Sequence, residues 1–210
     1  MKTRLAREIG EAAATALYVA FLRDLAVALP DSARWDAILA HAEFEPGPFL
    51  TGTFRSGWEL FPQGDGSLGD RLARTVVRSR MEGRRDVVVA GSDAPTLGRE
   101  ELGAAFDALE ENADVVFAPA PDGGFSLVGL AGSWDFRDFF EGVRWSTAHA
   151  LQDARRSAEA RGARVTLLAT IPDVDELKDL MALSPFFSAD PALAPFTRLA
   201  LEASYGKSRP

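Results

Sequence analysis

The segment Val87-Val88-Val89-Ala90-Gly91-Ser92-Asp93-Ala94-Pro95 constrains this chain more than any other. A run of β-branched residues gives way to small ones, then to a carboxylate, then to a proline that ends any strand. In a parallel α/β sheet this pattern delivers an acidic side chain to the carboxyl edge of the strands, where such folds bind ligands. Two more acidic turns follow predicted strands, Pro121-Asp122-Gly123-Gly124-Phe125 and Asp173-Val174-Asp175. Three such turns suggest a site for a hard divalent cation, which prefers oxygen ligands.

The rest of the pattern agrees with an α/β chain. Leu5, Ile9, Ala13, Leu17, Phe21 and Leu25 recur every four residues, so the spacing predicts one long helix over residues 3–29, ended by Pro30. Strands are expected at 34–41, 58–62, 86–91, 114–119, 125–130 and 164–169. Helices are expected at 67–82, 98–111, 146–161, 175–183 and 191–204, with a frayed end after the last. Residues 43–57, with two prolines and three glycines, read as irregular. Strands alternating with helices mean βαβ units and a mostly parallel sheet. No repeat or linker marks a boundary, so residues 1–210 read as one domain, with a core over 2–183 and a helical tail over 184–210. A doubly wound domain normally opens on a buried strand, whereas this sequence opens on a helix.

Composition narrows the function. At 210 residues the chain suffices for one domain with a substantial core. A net charge of −8 argues against a broad basic face for nucleic acid or anionic lipid. There is no cysteine, which excludes disulfides and thiolate chemistry and fits a cytoplasmic setting. His41 and His149 make no zinc spacing. No apolar run approaches the roughly 18–20 residues that span a bilayer. The basic start is followed at once by Glu8 and Glu11, so it reads as a core-facing helix rather than a targeting segment. Small molecules are therefore the expected partners, and nothing here fixes an oligomeric state.

Each candidate residue has a plainer rival. Asp93 binds a metal or caps the helix expected from Gly98. Asp122-Gly123-Gly124 is a turn signal, and its glycines also permit close backbone approach to a ligand. Asp173 and Asp175 point to one side of an extended segment and can chelate from one direction. The rival there is an N-cap at Asp175. Gln63-Gly64-Asp65-Gly66-Ser67-Leu68-Gly69-Asp70 is a glycine-rich loop entering a helix, suited to a phosphate or a nucleobase edge. It has neither the Walker ending nor the dinucleotide glycine pattern. Ser146 or Thr147 is the expected N-cap of the next helix. Trp145 is either core or a stacking surface for a sugar or base. His149 is an acid–base group or an exposed bystander.

Taken together, Lys2-Thr3-Arg4-Leu5, the glycine-rich loop with Arg71-Leu72, Gly91-Ser92-Asp93-Ala94-Pro95, Asp122-Gly123-Gly124-Phe125, Trp145-Ser146-Thr147 and Asp173-Val174-Asp175 resemble one family in their order. It is the DUF2064 group of glycosyltransferase-A-like proteins, related to nucleotide-diphospho-sugar transferases and to cofactor guanylyl- and cytidylyltransferases. The resemblance runs from residue 2 to about 181. It implies a Rossmann-like GT-A fold, a three-layer αβα sandwich, with an NDP-sugar or NTP ligand and a Mg²⁺ or Mn²⁺ ion. Asp93, Asp173 and Asp175 would match the metal ligands, and Lys2 and Arg4 the basic residues near the phosphates. Gly64, Leu68, Gly69, Gly123, Gly124, Trp145, Ser146 and Thr147 would lie around the nucleotide or substrate. Asp122 is the candidate base towards a small acceptor, with Asp93 as its catalytic partner.

The sequence also departs from that pattern. The family places a buried strand and a Pro/Gly-rich nucleotide loop before the Lys-Thr-Arg-Leu segment, and neither is present here. Their absence should leave a gap in the sheet or force strands 34–41 and 86–91 together. The Ala/Arg-rich composition fits a gene start placed downstream of the true one. Glu176-Leu177 stands where Thr-Pro is usual, and Ala94 where Cys is frequent. The expected activity is metal-dependent sugar transfer from an NDP-sugar. Nucleotidyl transfer with release of pyrophosphate, or a non-catalytic GT-A domain, are the alternatives.

Overall fold

The computed structural model describes residues 2–31, 33–42 and 44–205. Strand β4 (Val115–Pro119) shows most directly how the layers arise. Its side chains alternate between two faces, and both faces are buried. Val116 and Ala118 pack with Leu25 and Leu29 of helix α2 (Glu11–Ala28 and its C-terminal cap) and with Leu102, Ala105 and Leu109 of α5 (Arg99–Glu111). Val115 and Phe117 pack on the opposite face with Val76 of α4 (Leu68–Met81), with Ala150, Ala154 and Ala158 of α6 (Ala150–Ala160), and with Phe136, Phe139 and Phe140. The result is the expected α/β sandwich of three layers.

The central sheet has the order β3-β5-β4-β6, with β3 at Val87–Ala90, β5 at Phe125–Leu130 and β6 at Val165–Leu167. β6 runs parallel to β4, while β5 is antiparallel to both of its neighbours. The reversed strand follows from the Asp122-Gly123-Gly124 turn, which closes β4 and β5 into a hairpin. The carboxyl ends of β3, β4 and β6 therefore share one edge. β1 (Ala37–His41) and β2 (Trp58–Pro62) form a separate parallel pair. Among the described residues β1 and β3 are not hydrogen-bonded to each other, so the gap is what forms. Arg84 ties the two sheets at their starts. It donates to Asp36 at 3.1 Å and to Glu59 at 2.7 Å, immediately before β1 and within β2.

Several local expectations need correction. The period predicted one helix over 3–29, but α1 (Thr3–Ile9) and α2 are separate. Gly10 divides them at φ 87°, a conformation that a side chain disfavours. The apolar period runs through the break because Leu5, Leu17 and Phe21 all join one further cluster, with Val174, Leu180 and Leu183. The segment read as irregular holds a short helix α3 (Pro48–Thr53), started by its proline. The helix expected from 146 begins at Ala150, because Thr147 makes a turn instead. Its hydroxyl donates to the Arg144 carbonyl and accepts from the His149 N–H, so neither Ser146 nor Thr147 is an N-cap.

At the C-terminal end come α7 (Leu177–Ala182), α8 (Ser184–Ala189) and α9 (Pro195–Tyr205). The frayed end expected after α9 lies outside the described residues. α9 packs on α2 and is fixed there by Asp24. That buried carboxylate accepts from the Phe196 and Thr197 N–H groups, each at 2.8 Å, and from the Thr197 hydroxyl at 2.6 Å. It thereby satisfies orphan donors of the helix start from another helix. Asp24→Ala should cost about 2 kcal/mol by stranding those donors. Urea unfolding of the variant, with Asp24→Asn expected to lose less, measures this.

Candidate functional site

The carboxyl edge of the central sheet gathers the three acidic turns. After β6 the chain runs back across the strand ends. The Leu168 N–H donates to the Phe117 carbonyl at 2.8 Å, and the Ile171 N–H to that of Pro119 at 2.9 Å. The Val174 N–H then donates to the Asp93 carbonyl at 3.0 Å. Ser126 reaches the same strap, donating to the Ile171 carbonyl at 2.8 Å. The Val174 side chain is fully buried beneath α1, α2 and α7. Alternation along an extended segment then turns its neighbours Asp173 and Asp175 outward together. Both line a cleft of about 150 Å³ with Arg4, Asp122 and Asp179.

The rival readings of these residues do not hold in the structure. Gly98 is the cap residue of α5, and the Glu101 carboxylate accepts from its N–H at 2.9 Å, so Asp93 caps nothing there. The cap residue of α7 is Glu176 rather than Asp175. Asp179 accepts from both the Asp175 and Glu176 N–H groups, which fixes the backbone under Asp175 and leaves its carboxylate facing out. Asp122 makes the turn that its Asp-Gly pair signals. Its carboxylate accepts from the Gly124 N–H at 2.8 Å, as a turn aspartate does, and it remains exposed at the cleft.

Lys2 is the centre of the arrangement. Its ammonium lies 2.9 Å from Asp93 Oδ2 and 2.7 Å from Asp175 Oδ1, with its side chain only 10% exposed. Arg4 adds a looser contact to Asp175 at 3.8 Å. Burial pulls the Lys2 pKa down, but attraction to Asp93 and hydrogen bonds to both carboxylates outweigh it, and the pKa is raised. Asp173 is pushed up to about 6, first by burial and then by the negative charges of Asp122 and Asp93. Asp173 thus feels the charges of the other three carboxylates at this edge.

The donors are of the right kind for Mg²⁺ or Mn²⁺, since carboxylate oxygens suit hard cations. The Lys2 ammonium already stands between two of them as a cation would. Among the described residues, no three acidic or histidine side chains converge closely enough to hold an ion as they stand.

The remaining candidates form a second group. A side chain on Gly123 would collide with the Ala148 carbonyl, and the Gly123 carbonyl accepts from the Leu151 N–H, so this glycine locks the hairpin turn against the start of α6. Trp145 is half-buried between Phe125 and Phe140, each with ring centroids 6.0 Å away, and it covers Gly69. Ser146 is exposed at φ 58°. The glycine-rich loop wraps Arg74, which donates to the carbonyls of Gln63 and Asp65, with its guanidinium against Gly64. Leu68 is 48% exposed at the start of α4. No described contact joins this loop to the carboxylates. His149 is exposed, as the bystander reading has it.

Sequence reasoning missed Tyr18, whose hydroxyl pairs with that of Ser92 at 2.8 Å and anchors α2 beside the Asp93 turn. Nothing in a helical period marks it. Sequence reasoning also missed Asp179, because a capping signature opens on Ser, Thr, Asp or Asn and this one opens on Glu176. A larger cavity of about 420 Å³, lined by Arg23, Val27, Phe49 and Phe196, carries no acidic residue and lies apart from this chemistry.

A carboxyl group whose folded pKa is raised binds its proton more tightly when folded, so stability falls as pH rises from about 4 to about 6. Asp173→Asn removes that penalty. In EDTA the variant should match the native chain near pH 4 and exceed it in thermal midpoint above pH 6. Equal midpoints across the range would contradict the crowding of charge described here.

Comparison with known proteins places this geometry. The chain shares 24% identity with the crystal structure of a "putative nucleotide-diphospho-sugar transferase" from Desulfovibrio desulfuricans G20, at a TM-score of 0.84 over 99% of this chain and 91% of that one. The likeness establishes that the two chains share one fold. No protein of curated function matches. Residues 25–147, more than half of the sequence, match the family described as "uncharacterized protein conserved in bacteria", DUF2064. The chain belongs to the DUF2064 family.

Proposed function

We propose that the chain is a metal-dependent glycosyltransferase of the cytoplasm, moving a sugar from an NDP-sugar to a small acceptor. One observation carries this reading. Asp93, Asp173 and Asp175, with Lys2 and Arg4 beside them, lie along the carboxyl edge of a GT-A-like sheet, although they come from three distant parts of the sequence.

The chemistry follows from charge. When the bond from the sugar to the diphosphate breaks, the departing oxygen gathers negative charge. Lys2 and Arg4 stand where they can neutralise it, which lowers the barrier because the attraction grows as the charge develops. Asp93, Asp173 and Asp175 would hold a Mg²⁺ or Mn²⁺ ion, which supplies further neutralisation of the diphosphate. Asp122, exposed at the cleft, takes the proton of the acceptor hydroxyl as its oxygen bonds to the sugar carbon. The products are the glycosylated acceptor and free NDP.

Two outcomes test this. Calorimetric titration of UDP, GDP and their sugar conjugates should show binding that requires Mn²⁺ and disappears in EDTA. Asp93→Ala should abolish the metal-dependent part while leaving the fold intact by circular dichroism, because the Val174 bond uses the Asp93 backbone. Retained Mn²⁺-dependent affinity in that variant would remove Asp93 from the metal. In turnover, release of NDP supports sugar transfer, whereas pyrophosphate from an NTP would assign the same carboxylates to nucleotidyl transfer.

A further inference from the structure

The cavity of about 420 Å³ takes its walls from three helices, with Arg23 and Val27 on α2, Phe49 and Gly52 on α3, and Phe196 on α9. Two of these walls are tied in place. The Trp58 indole N–H donates to the Ala26 carbonyl of α2 at 3.1 Å, and the Phe196 N–H donates to Asp24 at 2.8 Å. Pre-formed pockets for small ligands have volumes of roughly 300–1,000 Å³, and this one falls among them. Its lining has two characters. Val27, Phe49 and Phe196 keep 65%, 37% and 36% of their surface in water, and an apolar ligand body laid against them would remove it. The charge beside them is of one sign. Arg23 lines the cavity, and the Arg55 guanidinium lies 3.9 Å from where a side chain on Gly52 would start. Among the described residues neither guanidinium has a hydrogen-bond or ion-pair partner, and no acidic side chain lines the cavity, in a chain of net charge −8.

We propose that this cavity is a second binding site, for a small amphipathic carboxylate. The apolar body of the ligand lies against Val27, Phe49 and Phe196, and its carboxylate pairs with Arg23, with Arg55 at the rim. A guanidinium presents parallel N–H donors that match a carboxylate, so Arg23 selects an acid over a neutral molecule of the same length. The two parts of the lining divide the work. Apolar contact supplies affinity for any ligand of the right size, and the charge supplies the discrimination. The site is distinct from the acidic cleft at the sheet edge, with which it shares no lining residue.

The test is calorimetric titration of octanoate, with octan-1-ol as its uncharged counterpart, into the native chain, Arg23→Gln and Gly52→Leu. Neither nucleotide nor metal is added, so the result is independent of sugar transfer. The native chain should prefer octanoate to the alcohol by about tenfold, as one charge-assisted contact provides. Arg23→Gln should lose most of that preference and keep its affinity for octan-1-ol, since the exposed guanidinium supports no other part of the fold. Gly52→Leu should weaken both ligands, because the new side chain takes space at the cavity wall. Both variants should give the circular dichroism spectrum of the native chain. Absence of octanoate binding to the native chain would overturn the proposal. Equal affinity for acid and alcohol, unchanged discrimination in Arg23→Gln, or native affinity for both ligands in Gly52→Leu would each do the same.

Discussion

The contact of Lys2 with Asp93 and Asp175 is the interaction on which the site depends. Four carboxylates share one sheet edge, and the Asp173 pKa, raised first by burial, is raised further by the charges of the other three. Bringing them together costs stability unless a cation offsets the charge. A buried pair of this kind is weak evidence for net stabilisation, since desolvating both partners takes back much of the attraction. Its value here is geometric. It links the turn after β3 to the strap after β6 and holds the start of α1 against both. The backbone bond from Val174 to Asp93 does the same between uncharged groups, so the edge keeps its shape through two separate kinds of contact.

The parts of this arrangement that could be read from the sequence are those set by local chemistry. β-branched runs ending in small residues and a carboxylate gave the ends of β3 and β4. The alternation of Asp173, Val174 and Asp175 gave the outward pair, because a buried valine between two aspartates fixes their direction. Asp122-Gly123-Gly124 gave the hairpin. What escaped the reading depends on distant partners. Asp24 sits in an apolar helix as an apparent misfit, and its purpose appears only when α9 arrives 172 residues later. Gly10 breaks a helix whose period continues, because both halves serve one cluster. Gly123 and Gly69 were read as room for a ligand, yet the atoms that fill their space belong to Ala148 and Trp145.

The gap between the two sheets puts unusual weight on side chains. In a continuous sheet the backbone ladder sets how neighbouring strands lie. Between β1 and β3 that ladder is absent, and Arg84 with its carboxylate partners Asp36 and Glu59 works in its place. Helix α2 also spans the division through the core on one face, where Trp58 of β2 packs, and α4 does so through Arg78, whose guanidinium lies over the Phe61 ring of β2. The second group of candidate residues, around Trp145 and the glycine-rich loop, is held by these packing contacts rather than by the charges at the edge.

Lys2 and Asp175 are 173 positions apart. A contact that joins the residue before α1 to the strap before α7 closes a very long loop, and long loops form slowly because their closure entropy precedes any reward. The strap bearing Asp173 and Asp175 leaves the ribosome after every described strand has been made, while Lys2 leaves before any of them. No chain that stops short of Asp175 contains the site, and its chemistry begins only once these distant segments have met.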